Sequence, residues 1–187
     1  MKMIKSLLDF FKNPVYKIDK DLSLKYKFII LGQLLAIALF ISLGIAMLIG
    51  VLEEVTELDF GEHALDELFS EYSPEFIFLI VVIIAPILEE LIFRGPLYLF
   101  RRSAYFGLIF YLFSLAFGFY HITNFEVTTT ILYLSPLLVS PQLIIGLLLG
   151  YIRVRLGLGW SILLHACYNF VLIGPIIVVQ ALDIPLQ

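Results

Sequence analysis

The segment FIILGQLLAIALFISLGIAMLIGVL, residues 28–52, runs for 25 residues without a charge and is interrupted only by Gln33. About 20 apolar residues carry a helix across the hydrocarbon core of a bilayer, so this stretch reads as a membrane span. Four more apolar segments follow. Residues 76–93 carry Glu89 and Glu90 inside the run, and 104–120 end at His121. Residues 127–152 are uncharged but punctuated by Pro136 and Pro141, and 156–182 contain His165 and Asn169. Composition agrees, with 61% hydrophobic residues, 15% charged and a mean hydropathy of +1.01. Soluble domains run near half apolar and a quarter charged. Lipid satisfies no backbone hydrogen bonds, which leaves helices or a closed barrel. Barrel strands alternate apolar and polar residues, and these runs do not. The expected fold is all-α: a polytopic membrane helical bundle of about five transmembrane helices enclosing a polar cavity.

The charges orient it. Seven lysines (Lys2, Lys5, Lys12, Lys17, Lys20, Lys25, Lys27) precede the first span. Arg94, Arg101 and Arg102 follow the second, and Arg153 and Arg155 follow the fourth. Five spans put all twelve basic residues on or near one side, whereas loop 53–75 holds nine acidic residues and no Lys or Arg. The positive-inside rule then places the N-terminus in the cytoplasm and the C-terminus outside. The expected division is a basic cytoplasmic segment, 1–27, and a transmembrane domain, 28–187, with an acidic external loop, 53–75. The first span is too long for a signal peptide and lacks a small-x-small cleavage site after it. Residues 1–12, MKMIKSLLDFFK, place Ile4, Leu7, Leu8 and Phe11 at helical spacing, fitting either a helix on the inner membrane face or a cytoplasmic tail. The single cysteine, Cys167, excludes an internal disulfide. Disorder, a disulfide scaffold and nucleic-acid binding are disfavoured by the same composition.

Ionisable residues inside a membrane are costly and by default mark function. In APILEELIFRG, residues 85–95, Glu90 and Arg94 are four apart and share a helix face, where they can pair. Glu89 lies about 100° around the helix, without a local partner. Pro86 removes a backbone donor just before it and predicts a bend. In FGFYH, residues 117–121, His121 stands one turn after Phe117. In HACYN, residues 165–169, the i, i+4 spacing stacks His165 and Asn169 on one face, while Cys167 points away and reads as packing. Each residue alone also fits an interhelical polar clamp. Together they form a set: Glu89 or His121 to take a proton from water, His165 and Asn169 to steady a tetrahedral intermediate. Two His and one Glu could also bind zinc, but HExxH is absent. No Asp lies within a span, and Ser114, Ser135, Ser140 and Ser161 lack a GxSxG elbow.

These residues resemble the CPBP family of intramembrane endopeptidases, named for CAAX prenyl proteases and bacteriocin-processing enzymes. Its marks are EExxxR, FxxxH and HxxxN on successive helices, matched here by EELIFR (89–94), FGFYH (117–121) and HACYN (165–169). The run GLLLGYIRVRLGLGWSILLHACYN, residues 146–169, is similar to the family's approach to its last motif. The likeness covers 86–170, close to half the chain. It implies a glutamate-dependent protease in which Glu89 and His121 activate water, His165 and Asn169 form the oxyanion hole, and Glu90 and Arg94 support them. It implies neither metal nor other cofactor, a peptide or membrane-protein substrate, and membrane lipid as the surroundings. The chain's small core is similar to bacterial members tied to bacteriocin maturation or self-immunity, which would place it in a bacterial plasma membrane. Nothing in the sequence marks a prenyl pocket.

One count resists. Glu89 lies 13 residues before Arg102 and His121 lies 19 after it, a depth mismatch of roughly 9 Å at about 1.5 Å per residue. Tilt, a break at Gly95-Pro96 or an interfacial segment over 97–103 would close it. Two other classes compete. A non-catalytic immunity or scaffold protein could use the polar residues as glue and Gly146-xxx-Gly150 as a packing face. A transporter could use the intramembrane acids as proton relays. Glu89→Gln separates them, because hydrolysis needs the carboxylate and packing does not.

Overall fold

The computed structural model describes residues 2–56 and 64–182. In chain order the helices are α1 (Lys2–Lys12), α2 (Leu24–Thr56), α3 (Ala64–Glu71), α4 (Pro74–Ile77), α5 (Ala85–Phe93), α6 (Phe106–Tyr120), α7 (Thr129–Leu138), α8 (Ser140–Leu156) and α9 (Leu158–Ala181). A π-helical turn, Phe78–Ile84, joins α4 to α5, and 3-10 turns occupy Pro96–Tyr98 and His121–Asn124. No strand occurs among the described residues.

Four stretches are long and apolar enough to cross a membrane: Leu24–Thr56, Pro74–Tyr98, Phe106–Asn124 and Leu158–Ala181. The expected fourth span, 127–152, is instead a pair, α7 and α8, bent by 41°. Counting that pair as one broken span gives five. The bend has a local cause. Pro136 and Pro141 cannot donate to the carbonyls four residues back, Leu132 and Leu137. Ser135 Oγ donates to Leu132 O at 2.8 Å, and Ser140 Oγ donates to Leu137 O at 2.6 Å. Two of the serines weighed as nucleophiles thus satisfy carbonyls that proline orphans. Ser114 likewise donates to Phe110 O, at 2.9 Å.

The core forms around α8, which is buried from Leu148 through Val154 and packs on α2, α6 and α9. A helix apolar on all sides belongs in the middle of a bundle. Its glycines set the approach of α6: a Cβ on Gly146 would lie 3.0 Å from Phe117 Cδ1, and one on Gly150 would lie 2.5 Å from Phe110 Cε2. The Gly146-xxx-Gly150 stripe is thus a packing face, occupied by α6 of the same chain. Gly157, at φ +106°, makes the turn from α8 into α9 that side-chain-bearing residues rarely adopt. On the outside of α2, Phe40, Met47 and Val55 are exposed, as a lipid-facing surface requires.

The N-terminal residues dock on the bundle. Leu7 and Phe10 of α1 are buried, with the Phe10 ring 5.2 Å from Phe110 and 5.1 Å from Tyr151. Ile4 and Leu8 remain exposed on the other face. Of the acidic loop, 53–75, residues 57–63 lie outside the described residues, as do 183–187 at the C-terminal end of the expected second domain.

Candidate active site

Glu90 organises the interior. On α5 it is 0% exposed, and Arg94 Nη1 approaches its Oε1 at 3.3 Å, as the i, i+4 spacing predicts. Arg94 Nη2 donates to Gly146 O at 3.1 Å, and its guanidinium lies 3.8 Å from the centroid of the Phe117 ring. The other carboxylate oxygen meets Ser161, whose hydroxyl sits between Glu90 Oε2 and Leu149 O, 3.0 Å from the latter. His165 Nδ1 completes the set, 3.1 Å from Glu90 Oε1. Burying an ion pair is costly unless further hydrogen bonds support it; here α8 and α9 supply partners to Arg94 Nη2 and to both Glu90 oxygens, while Arg94 Nη1 has the ion-pair approach alone among the described residues.

Glu89, one residue earlier, points to a different neighbourhood. Its Oε2 has no hydrogen-bond partner among the described residues, yet it lies 3.9 Å from His121 Nε2 and 3.8 Å from His165 Nε2. The break at Gly95-Pro96 and the irregular chain up to Tyr105 bring Glu89 and His121 level, closing the expected depth mismatch. The tautomer of His121 follows from its other nitrogen, 2.8 Å from Phe117 O. A carbonyl only accepts, so Nδ1 carries the proton and the Nε2 of the neutral ring is an acceptor. Phe117 thus orients His121 through its backbone and covers Arg94 with its ring.

Asn169, one turn beyond His165, donates from Nδ2 to Val81 O at 2.9 Å. The reason lies in the π turn. Ala85 N bonds to Ile80 O, five residues back, and in that register residue 86 would bond to Val81 O. Residue 86 is proline and has no N–H. Asn169 supplies the missing donor and retains a second amide hydrogen. Pro86 therefore acts through a widened turn and a recruited side chain, within the single apolar stretch Pro74–Tyr98.

Glu89, His121, His165 and Asn169 line one cavity of about 380 Å³ inside the bundle, with Tyr120, Asn124 and Gln142 also on its wall. Glu90 and Arg94 lie behind it. Among the described residues no group of three or more His, Cys, Asp and Glu side chains is arranged to hold a metal ion. Cys167 is a free thiol and does not line the cavity.

Three members of this arrangement were not anticipated from sequence. Ser161 stands four residues before His165, on the same face, and that spacing could have found it. Gln142 carries no such local signal. Arg153, read only as a topological charge, is 6% exposed; its Nε donates to Arg94 O at 3.1 Å and its Nη1 to Tyr16 Oη at 2.9 Å.

Comparison with curated proteins gives no match, and neither does comparison with solved structures. The family described as type II CAAX prenyl endopeptidase Rce1-like matches residues 72–171, just over half of the 187-residue chain. That stretch contains Glu89, Glu90, Arg94, His121, His165 and Asn169, together with Ser161 and Gln142. The chain is an integral membrane protein that belongs to the Rce1-like family of type II CAAX prenyl endopeptidases.

Proposed function

We propose that this protein is an intramembrane endopeptidase that hydrolyses peptide bonds with water activated by Glu89 and His121. The observation that carries the proposal is the approach of Glu89 Oε2 to both imidazole Nε2 atoms at the wall of one cavity. A water there gives one proton to Glu89, with His121 as the second acceptor, while its oxygen attacks the scissile carbonyl carbon. The carbonyl π electrons move onto oxygen. Asn169 offers its remaining amide hydrogen to that oxyanion, and His165 offers Nε2–H when its ring carries both protons, with Glu90 at Nδ1 as counter-charge. Collapse re-forms the carbonyl and breaks the C–N bond, and the proton held by Glu89 passes to the departing amine. Glu90, Arg94 and Ser161 hold His165 in place without touching substrate.

The narrower proposal is bacteriocin-type peptide processing or self-immunity in a bacterial plasma membrane, with the N-terminus cytoplasmic. The orientation is supported by the clustering of basic residues at one end. The test compares membranes from cells producing wild type or Glu89→Gln at matched levels, with protein termini mapped by mass spectrometry. Termini that fall by about 10²- to 10⁴-fold in the variant are expected for loss of a general base. Identical maps, with the variant keeping any cellular phenotype, would leave a non-catalytic immunity or scaffold protein.

A further inference from the structure

Gln142 stands in the first turn of α8, where antiparallel packing fixes its level. Gly146 faces Phe117 and Gly150 faces Phe110, so successive turns toward the start of α8 rise along α6. One turn before Gly146, Gln142 comes level with the end of α6, where His121 stands. It lines the same cavity as Glu89, His121, His165 and Asn169. Its Oε1 is shielded from solvent, and no donor among the described residues reaches it. A buried acceptor without a partner is costly and calls for an explanation. Packing supplies none, because an apolar side chain of similar volume would fill the space without that cost.

We infer that Gln142 is a substrate-binding residue, its amide oxygen accepting a backbone N–H from a peptide laid across the cavity beside Glu89. A peptide main chain presents N–H donors at regular spacing whatever its side chains, so this contact fixes register without selecting sequence. The inference rests on the proposed endopeptidase activity and adds where its substrate is held. Gln142 touches the substrate in this scheme and takes no part in proton transfer.

Gln142→Leu tests it with two readouts. Thermal unfolding of the purified variant is expected at an unchanged or higher Tm, because the substitution removes an unpartnered buried acceptor. Cleavage of the membrane proteins whose termini depend on Glu89 is expected to fall about 3- to 10-fold, the range of one neutral hydrogen bond. That deficit should narrow as one such protein is expressed at rising levels, since lost ground-state binding is overcome by substrate. A Tm lowered by several degrees would make Gln142 a structural residue and overturn the inference. So would wild-type cleavage, or a deficit that stays constant at every substrate level. If no termini depend on Glu89, the endopeptidase proposal itself fails and this inference falls with it.

Discussion

Adjacent glutamates on one helix meet different fates because 100° of rotation sends them to different neighbours. Glu90 turns inward to Arg94, Ser161 and His165, whereas Glu89 turns to the cavity and keeps an unpartnered oxygen. The first is a network whose members cannot be removed singly. Arg94→Met should leave Glu90 buried without its cation and cost about 3–5 kcal/mol, or roughly 6–20 °C in Tm for a chain of this size. Glu90→Leu combined with Arg94→Met removes both charges and should recover much of that loss. Thermal unfolding of the two single variants and the double one measures the coupling. Losses that simply add would mean that the pair does not act as a unit. The pairing was legible in sequence because an i, i+4 spacing needs nothing beyond helix geometry. Ser161 was legible only in part: its spacing before His165 sets its face, but its carboxylate partner lies 71 residues away on another helix.

At the scale of elements, proline explains much of the shape around the cavity. Each proline deletes one donor, and in lipid the carbonyl it abandons must find another. Ser135 and Ser140 answer within the chain's own turn, while Val81 is answered from across the bundle by Asn169. That Pro86 would disturb the helix was legible, but the π turn was not, because a change of register leaves no mark in apolar periodicity. The same geometry predicts an energetic coupling between positions 86 and 169. In the native background, Asn169→Ala leaves Val81 O without its donor and should cost about 1–3 kcal/mol, roughly 2–12 °C in Tm. Pro86→Ala restores an N–H in register with Val81 O. Adding Asn169→Ala to that variant should then cost less than half as much. Unfolding curves for the four proteins decide this, and equal costs in both backgrounds would sink the account of why Asn169 is held where it is.

Over the whole molecule, the apolar runs announced a helical membrane bundle, but not which helix would be central. α8 reads much like its neighbours until Gly146 and Gly150 are seen to admit Phe117 and Phe110. The basic residues carry the complementary information about ends. Arg155 pairs with Asp19, whose backbone N–H bonds to Arg155 O at 2.8 Å. Arg153 reaches Tyr16, and the Tyr16 ring in turn meets Tyr98 at 6.2 Å and Phe106 at 5.8 Å. The segment between α1 and α2 is thereby tied to the ends of α8 and α6, so charges far apart in sequence gather at one end of the bundle. Glu53 and Glu54 stand exposed at the far end of α2. A charge-set orientation puts the basic end in the cytoplasm. Single cysteines can read this out in a Cys167→Ala background, one at exposed Asn13 and one at exposed Glu53. A membrane-impermeant maleimide added to intact cells should modify Glu53→Cys and spare Asn13→Cys, which should react only after the membrane is opened. The opposite pattern would invert the protein, with the basic end facing outward against the positive-inside rule.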